Sequence, residues 1–191
     1  MTATILWRRI DMPGHETSLL TFDRREPRLE GTAVFAHEGR PCEMAYIITC
    51  DTVWNTVHVD VTGHLAGDRK SLFLERSPTG EWTVDGERRP DLDGCLDVDL
   101  GFSPSTNSLP IRRLNLDVGA SADVRAAWVR FPELTVEVLE QRYTRLSKDM
   151  YRYESDGGNF RRDLTVHSSG FVVKYPDLWD AELDVVSTGA Q

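Results

Sequence analysis

The stretch "NTVHVDVTG", residues 55–63, decides the fold class. Val57, Val59 and Val61 fall on one side of an extended chain. Thr56, His58, Asp60 and Thr62 fall on the other. Strict alternation with period two is the pattern of a half-buried β-strand. The same period recurs over residues 44–50, 72–76, 81–84, 96–100, 111–118, 126–131, 134–145, 150–154, 161–167 and 171–175. Turn chemistry separates these runs: Glu38-Gly39, Gly67-Asp68, Pro78-Thr79-Gly80, Asp85-Gly86, Gly157-Gly158 and Ser169-Gly170. A helical stripe is offered only by residues 177–185, as one short helix capped by Asp177. The expectation is an all-β single domain over residues 1–191. It has about a dozen mostly antiparallel strands in a strongly curved, rolled sheet or partly open barrel, with few or no helices. Residues 187–191 read as a frayed tail.

Composition narrows the function classes. The chain has 191 residues, 40% hydrophobic and 28% charged, with a net charge of −9. Such a chain repels nucleic acid and anionic membrane surfaces, so neither is expected as a partner. Three cysteines, Cys42, Cys50 and Cys95, with no CxxC spacing read as reduced thiols, which points to a cytoplasmic setting. The opening MTATILWRRIDMPGHE places arginines after its short apolar stretch and none before it, unlike a secretory signal. No apolar run approaches the ~20 residues that span a bilayer.

Catalytic and metal motifs are missing. There is no GxSxG elbow, HExxH, phosphate-binding GxxxxGK[ST] loop or GxGxxG. His58 and His64 share a strand face, but six residues of strand separate them by ~20 Å, too far for one metal ion. "DLDGCLDVD" (91–99) hints at a calcium loop. That loop needs Gly at its sixth position and Glu at its twelfth, where this chain has Leu96 and Phe102. Neither a metal nor a cofactor is expected.

The unusual segment is "LDVDLGFSPSTNSLPIRRLNL", residues 96–116. Read as two strands joined by a rigid connection, it puts Asp97 and Asp99 on one face of the first strand. In the second strand it puts Arg112 in line with Leu114, Leu116 and Val118, and Arg113 on the opposite face. A charge on a core face is costly unless paired. Arg112 therefore either pairs with a buried carboxylate, Asp97 or Asp99 being nearest in sequence, or meets an anionic ligand group. Pro104 and Pro110 stiffen the connection, and Ser105, Thr106 and Asn107 can bond neighbouring backbone.

"GCLDVDLGFSPSTNSLPIRRLNLDVG" (94–119) resembles the core of the glycolipid-binding family of bacteria. "YIITCDTVWNTVHVDV" (46–61), "GEWTVDGERRPDLDGCLDVDL" (80–100), "AAWVRFPELTVEVLEQRYTRL" (126–146), "YRYES" (151–155) and "GFVVKYPDLW" (170–179) extend the resemblance over nearly the whole chain. It implies a single β domain, similar to the half-barrels of lipoprotein carriers, and brings no catalytic residues. On this basis the expected partner is a lipid or glycolipid held in the concave face of the sheet. Trp54, Trp82, Trp128 and Tyr143 would form an apolar or stacking wall, with Arg112, Arg113 and Asn107 at the polar end. Asp97, Asp99 and Gln141 complete the candidate ligand-binding set. Together with Arg112 they would also line the cavity of the alternative, a hydrolase or isomerase acting on a small polar substrate. A self-filled scaffold is the third possibility.

Overall fold

The computed structural model describes residues 1–183 and the backbone of 186–188. Among these, the strands are β1 (Thr2–Arg9), β2 (Gly14–Thr21), β3 (Arg28–His37), β4 (Arg40–Cys50), β5 (Thr56–Leu65), β6 (Asp68–Arg76), β7 (Trp82–Val84) and β8 (Glu87–Arg88). They continue with β9 (Asp97–Leu100), β10 (Ser121–Arg130), β11 (Thr135–Arg145), β12 (Met150–Ser155), β13 (Phe160–Val166), β14 (Val172–Tyr175), β15 (Trp179–Ala181) and β16 (Val186–Thr188). All belong to one sheet, ordered β8-β7-β6-β5-β4-β3-β2-β1-β15-β14-β13-β12-β11-β10-β9, with β16 paired to β1 beyond the end of β15. The sheet is strongly curved and does not close. Its far end nevertheless returns towards β5: the Thr56 amide donates to the Leu96 carbonyl at 2.9 Å, and the Val98 amide to Thr56 Oγ1 at 3.1 Å.

The strands expected from alternation are present, with one exception, and three more precede them. β1 to β3 carry the same inward alternation, through Ile5 and Trp7 on β1 and Leu29, Ala33 and Phe35 on β3. The Asp85-Gly86 turn has φ of 50° and 83° at its two residues, the doubly positive conformation of a tight hairpin. Over 177–185 the chain forms no helix up to Leu183. Asp177 turns at φ 68° and Trp179–Ala181 pair as β15, while Asp184 and Val185 lie outside the described residues. Of the expected tail, Ser187 and Thr188 pair with β1, and 189–191 lie outside the described residues.

The exception is residues 111–118. Ser105–Asn107 form a 3-10 turn that runs into helix α1, Ser108–Leu114. Pro110 sits in the first turn of α1, where its missing N–H is of no consequence. Asn115 ends the helix in the left-handed region at φ 41°, its amide bonded to the Ile111 carbonyl at 3.2 Å. The segment is a crossover, because β9 and β10 are parallel and no hairpin can join parallel strands.

Every residue from Phe102 to Ile111 is buried. The crossover fills the concave face as a plug. Its polar composition follows from that burial, since backbone groups removed from water need partners. Ser108 Oγ donates to the Ser105 carbonyl at 2.6 Å, Asn107 Nδ2 to the Pro104 carbonyl at 3.3 Å, and the Leu100 amide to Thr106 Oγ1 at 3.3 Å.

Candidate functional site

The geometry of α1 separates the twin arginines. Adjacent residues on a helix point about 100° apart. Arg113 turns to β9, where Nε and Nη2 donate to the two carboxylate oxygens of Asp97 at 3.1 and 2.5 Å. Asp97 is fully buried. Burial raises its pKa, and Arg113 opposes the rise. The expected arginine–carboxylate pair thus exists, but Arg113 makes it and Arg112 does not. Strand phase assigned the wrong arginine because the segment is helical.

Asp99, two residues on, accepts a 2.6 Å hydrogen bond from Gln141 Nε2 on β11. Burial pushes its pKa up to about 6, with Gln141 lowering it and neighbouring Asp97 raising it. On the same inner face of β11, the Tyr143 hydroxyl donates to Asn107 Oδ1 of the plug at 3.0 Å. Between these groups and the later strands lies a cavity of about 490 Å³. Trp128, Tyr153, Phe160, Tyr175 and Trp179 form much of its wall, and Asp99, Ser103, Asn107, Ser155 and Asp156 are its polar members. The rings are mutually braced: Tyr153 lies 5.2 Å from Tyr143, 5.9 Å from Phe160 and 6.3 Å from Tyr175, centroid to centroid, all edge-on.

Residues 4–181 match the model of the family described as "Putative glycolipid-binding". The chain belongs to this family. It is also similar to the crystal structure of a DUF1089 family protein from Pseudomonas aeruginosa. Identity is 32% and the TM-score 0.77, over 86% of this chain and 91% of that one. A comparison with curated proteins gave no match.

In this family member, the cavity gathers Asp99, Asn107 and Trp128 from the expected set, with Gln141 and Tyr143 bonded to its polar rim. Arg113 and Asp97 lie beside it as a buried pair. Trp82 is fully buried elsewhere, its Nε1 donating to the Cys95 carbonyl at 3.1 Å. Trp54 and Arg112 meet in a separate pocket. The wall residues Tyr153, Phe160, Tyr175 and Trp179 were not singled out from sequence. Tyr153 and Tyr175 sit in expected strands, but alternation shows only that they face inward, not that they meet. Among the described residues, no helix is long and apolar enough to cross a membrane, and no three metal-ligating side chains gather.

A further group lies behind the cavity. Glu16, buried on β2, accepts hydrogen bonds through Oε1 from Ser103 Oγ at 2.5 Å and from the Tyr46 hydroxyl at 2.6 Å. The Tyr46 hydroxyl also lies 2.7 Å from Ser105 Oγ, and Ser103 Oγ lies 2.7 Å from Ser105 Oγ. Oε2 of Glu16 is buried without a partner. Burial pushes the Glu16 pKa up to about 7 against the lowering effect of its hydroxyl donors and Arg9. Gly31 makes room for this group: a Cβ there would stand 2.3 Å from the Tyr46 hydroxyl oxygen.

Proposed function

We propose that the chain is a non-enzymatic binding protein for a glycolipid, and that the sugar lodges in the aromatic cavity. The observation that carries the proposal is the pairing of a five-ring wall with Asp99, Ser103, Asn107 and Ser155 in about 490 Å³. Sugars present C–H faces that pack on aromatic rings and hydroxyls that bond carboxylates and amides. The volume falls within the range of small-ligand pockets, ~300–1,000 Å³. Membership of the glycolipid-binding family points the same way. An acyl chain laid along the concave face would meet the plug, so in this proposal the lipid part leaves the cavity towards solvent or a second molecule.

The test is isothermal titration with a panel of octyl glycosides, alongside native mass spectrometry of freshly purified protein. Saturable binding by at least one glycoside, lost in Trp128→Ala, is the expected result. No binding across the panel, together with a clean apo mass after incubation with total lipid extract, overturns it.

A second reading is an enzyme acting on the same sugar, favoured by the position of Asp99. Its pKa of about 6 suits proton transfer near neutral pH. Release of free sugar from a bound glycoside, abolished in Asp99→Asn while binding persists, would establish the enzyme.

A further inference from the structure

Arg112 faces away from the aromatic cavity, into a pocket of about 330 Å³ lined in part by Trp54, Asn115, Arg145, Lys148 and His167. Its guanidinium is clamped, with Cζ 4.3 Å from the Phe22 ring centroid and 4.7 Å from that of Trp54. Nη1 donates to the Ser169 carbonyl. Gly170, at φ 97°, lets the side chain lie this close: a Cβ there would stand 2.9 Å from Arg112 Cγ. Nε is buried without a partner, and Nη2 donates to no protein atom among the described residues.

Arg145 is held from behind. It donates to the carbonyls of Leu116 at 2.7 Å, Lys148 at 3.0 Å and Ser147 at 3.2 Å. The Ser169 amide donates to His167 Nδ1 at 3.1 Å, which leaves the proton of the neutral ring on Nε2 as another donor. The nearby Asp149 accepts from Ser147 Oγ at 2.8 Å and lines a neighbouring cavity. Among the described residues no carboxylate pairs with Arg112, Arg145 or Lys148. In a chain with 31 acidic residues and a net charge of −9, three cations lining one pocket without a counter-charge call for an external anion. Burial alone lowers the Arg112 pKa, with no carboxylate to offset it.

We infer that this pocket binds a phosphate group. A carboxylate is satisfied by one arginine fork. Two guanidinium groups, an ammonium and an imidazole N–H match a doubly charged oxyanion with more acceptors. The acidic protein as a whole repels extended polyanions, so the pocket takes a compact phosphate. Free phosphate, or a small phosphomonoester, and the headgroup of a lipid present the same chemistry.

The test is thermal unfolding of the full chain in rising inorganic phosphate against sodium chloride of equal ionic strength. A ligand bound only to the folded state raises the melting temperature saturably. The expected result is such a rise with phosphate alone, with its midpoint moved to about tenfold higher phosphate in Lys148→Gln, as loss of one charge-assisted hydrogen bond predicts. It should be absent in Arg112→Gln. Lys148 is exposed, so its replacement leaves the core intact. Trp128→Ala should keep the phosphate effect, which separates this site from the aromatic cavity. Flotation with phosphatidylcholine vesicles, with and without phosphatidic acid, distinguishes the sources. Capture only by phosphatidic acid vesicles, competed by inorganic phosphate, assigns a lipid headgroup; a phosphate shift without capture assigns a free phosphate. A melting temperature that follows ionic strength alone, or a phosphate shift unchanged in both Lys148→Gln and Arg112→Gln, overturns the inference.

Discussion

Replacing Arg113 by methionine tests whether its pair with Asp97 locks the plug to β9. The side chain of Asp97 is 1% exposed and that of Arg113 is 14% exposed. Both carboxylate oxygens engage the guanidinium. Removing one partner of such a pair strands a charge in a water-free site, which costs about 3–5 kcal/mol. For a chain of this length that corresponds to a fall in melting temperature on the order of 10 °C. The sign of the pH dependence follows from the raised pKa of Asp97. A carboxyl whose folded pKa lies above its unfolded value favours folding at low pH, and that benefit is lost as pH rises through the folded pKa. Without Arg113 the folded pKa climbs further. The deficit of Arg113→Met should therefore be larger at pH 8 than at pH 6. Urea denaturation followed by circular dichroism at both pH values measures it. The double variant Asp97→Leu/Arg113→Met, which removes both charges, should recover most of the loss. A loss below about 1 kcal/mol at pH 8, or a deficit that grows as pH falls, refutes the reasoning.

Glu16 should make stability fall as pH rises. Its folded pKa stands near 7 against an ordinary 4.5, so its contribution is complete below pH 4.5 and lost as pH rises through about 7. The full swing is about 3 kcal/mol. Glu16→Gln should flatten the stability profile between pH 5 and 8, and an unchanged slope would rule out Glu16 as its source. The thiols of Cys42, Cys50 and Cys95 are buried and unpaired, and burial pushes those of Cys42 and Cys95 up to about 11 and that of Cys50 higher still. Because the thiolate is the reactive form, a thiol reagent at pH 8 should label none of them in the native protein and all three in urea. Fast labelling of any one in native buffer would contradict this burial.

The sequence by itself determined the class of fold. Period-two alternation such as Val57, Val59 and Val61, punctuated by Asp85-Gly86 and similar turns, is a local property, and local sterics suffice to read it. It also left an arginine in residues 96–116 with two choices, a buried carboxylate or an anionic ligand group, because an unpaired charge in a core is prohibitively costly. Which arginine, and against which wall, was decided only by the tertiary structure. Strand and helix differ in how far apart they aim Arg112 and Arg113. The short polar run Ser103–Ser108 has the same composition whether it turns in water or satisfies its own backbone inside a core. Its burial depends on the curvature of a sheet in which β1, near the start of the sequence, pairs with β15, near its end. The aromatic cavity is likewise a product of that curvature, since Trp128, Tyr153, Phe160, Tyr175 and Trp179 come from five different strands. Glu16 shows the same limit: its neighbours Ser103 and Tyr46 stand 87 and 30 residues away, and only the rolled sheet brings them within hydrogen-bonding distance.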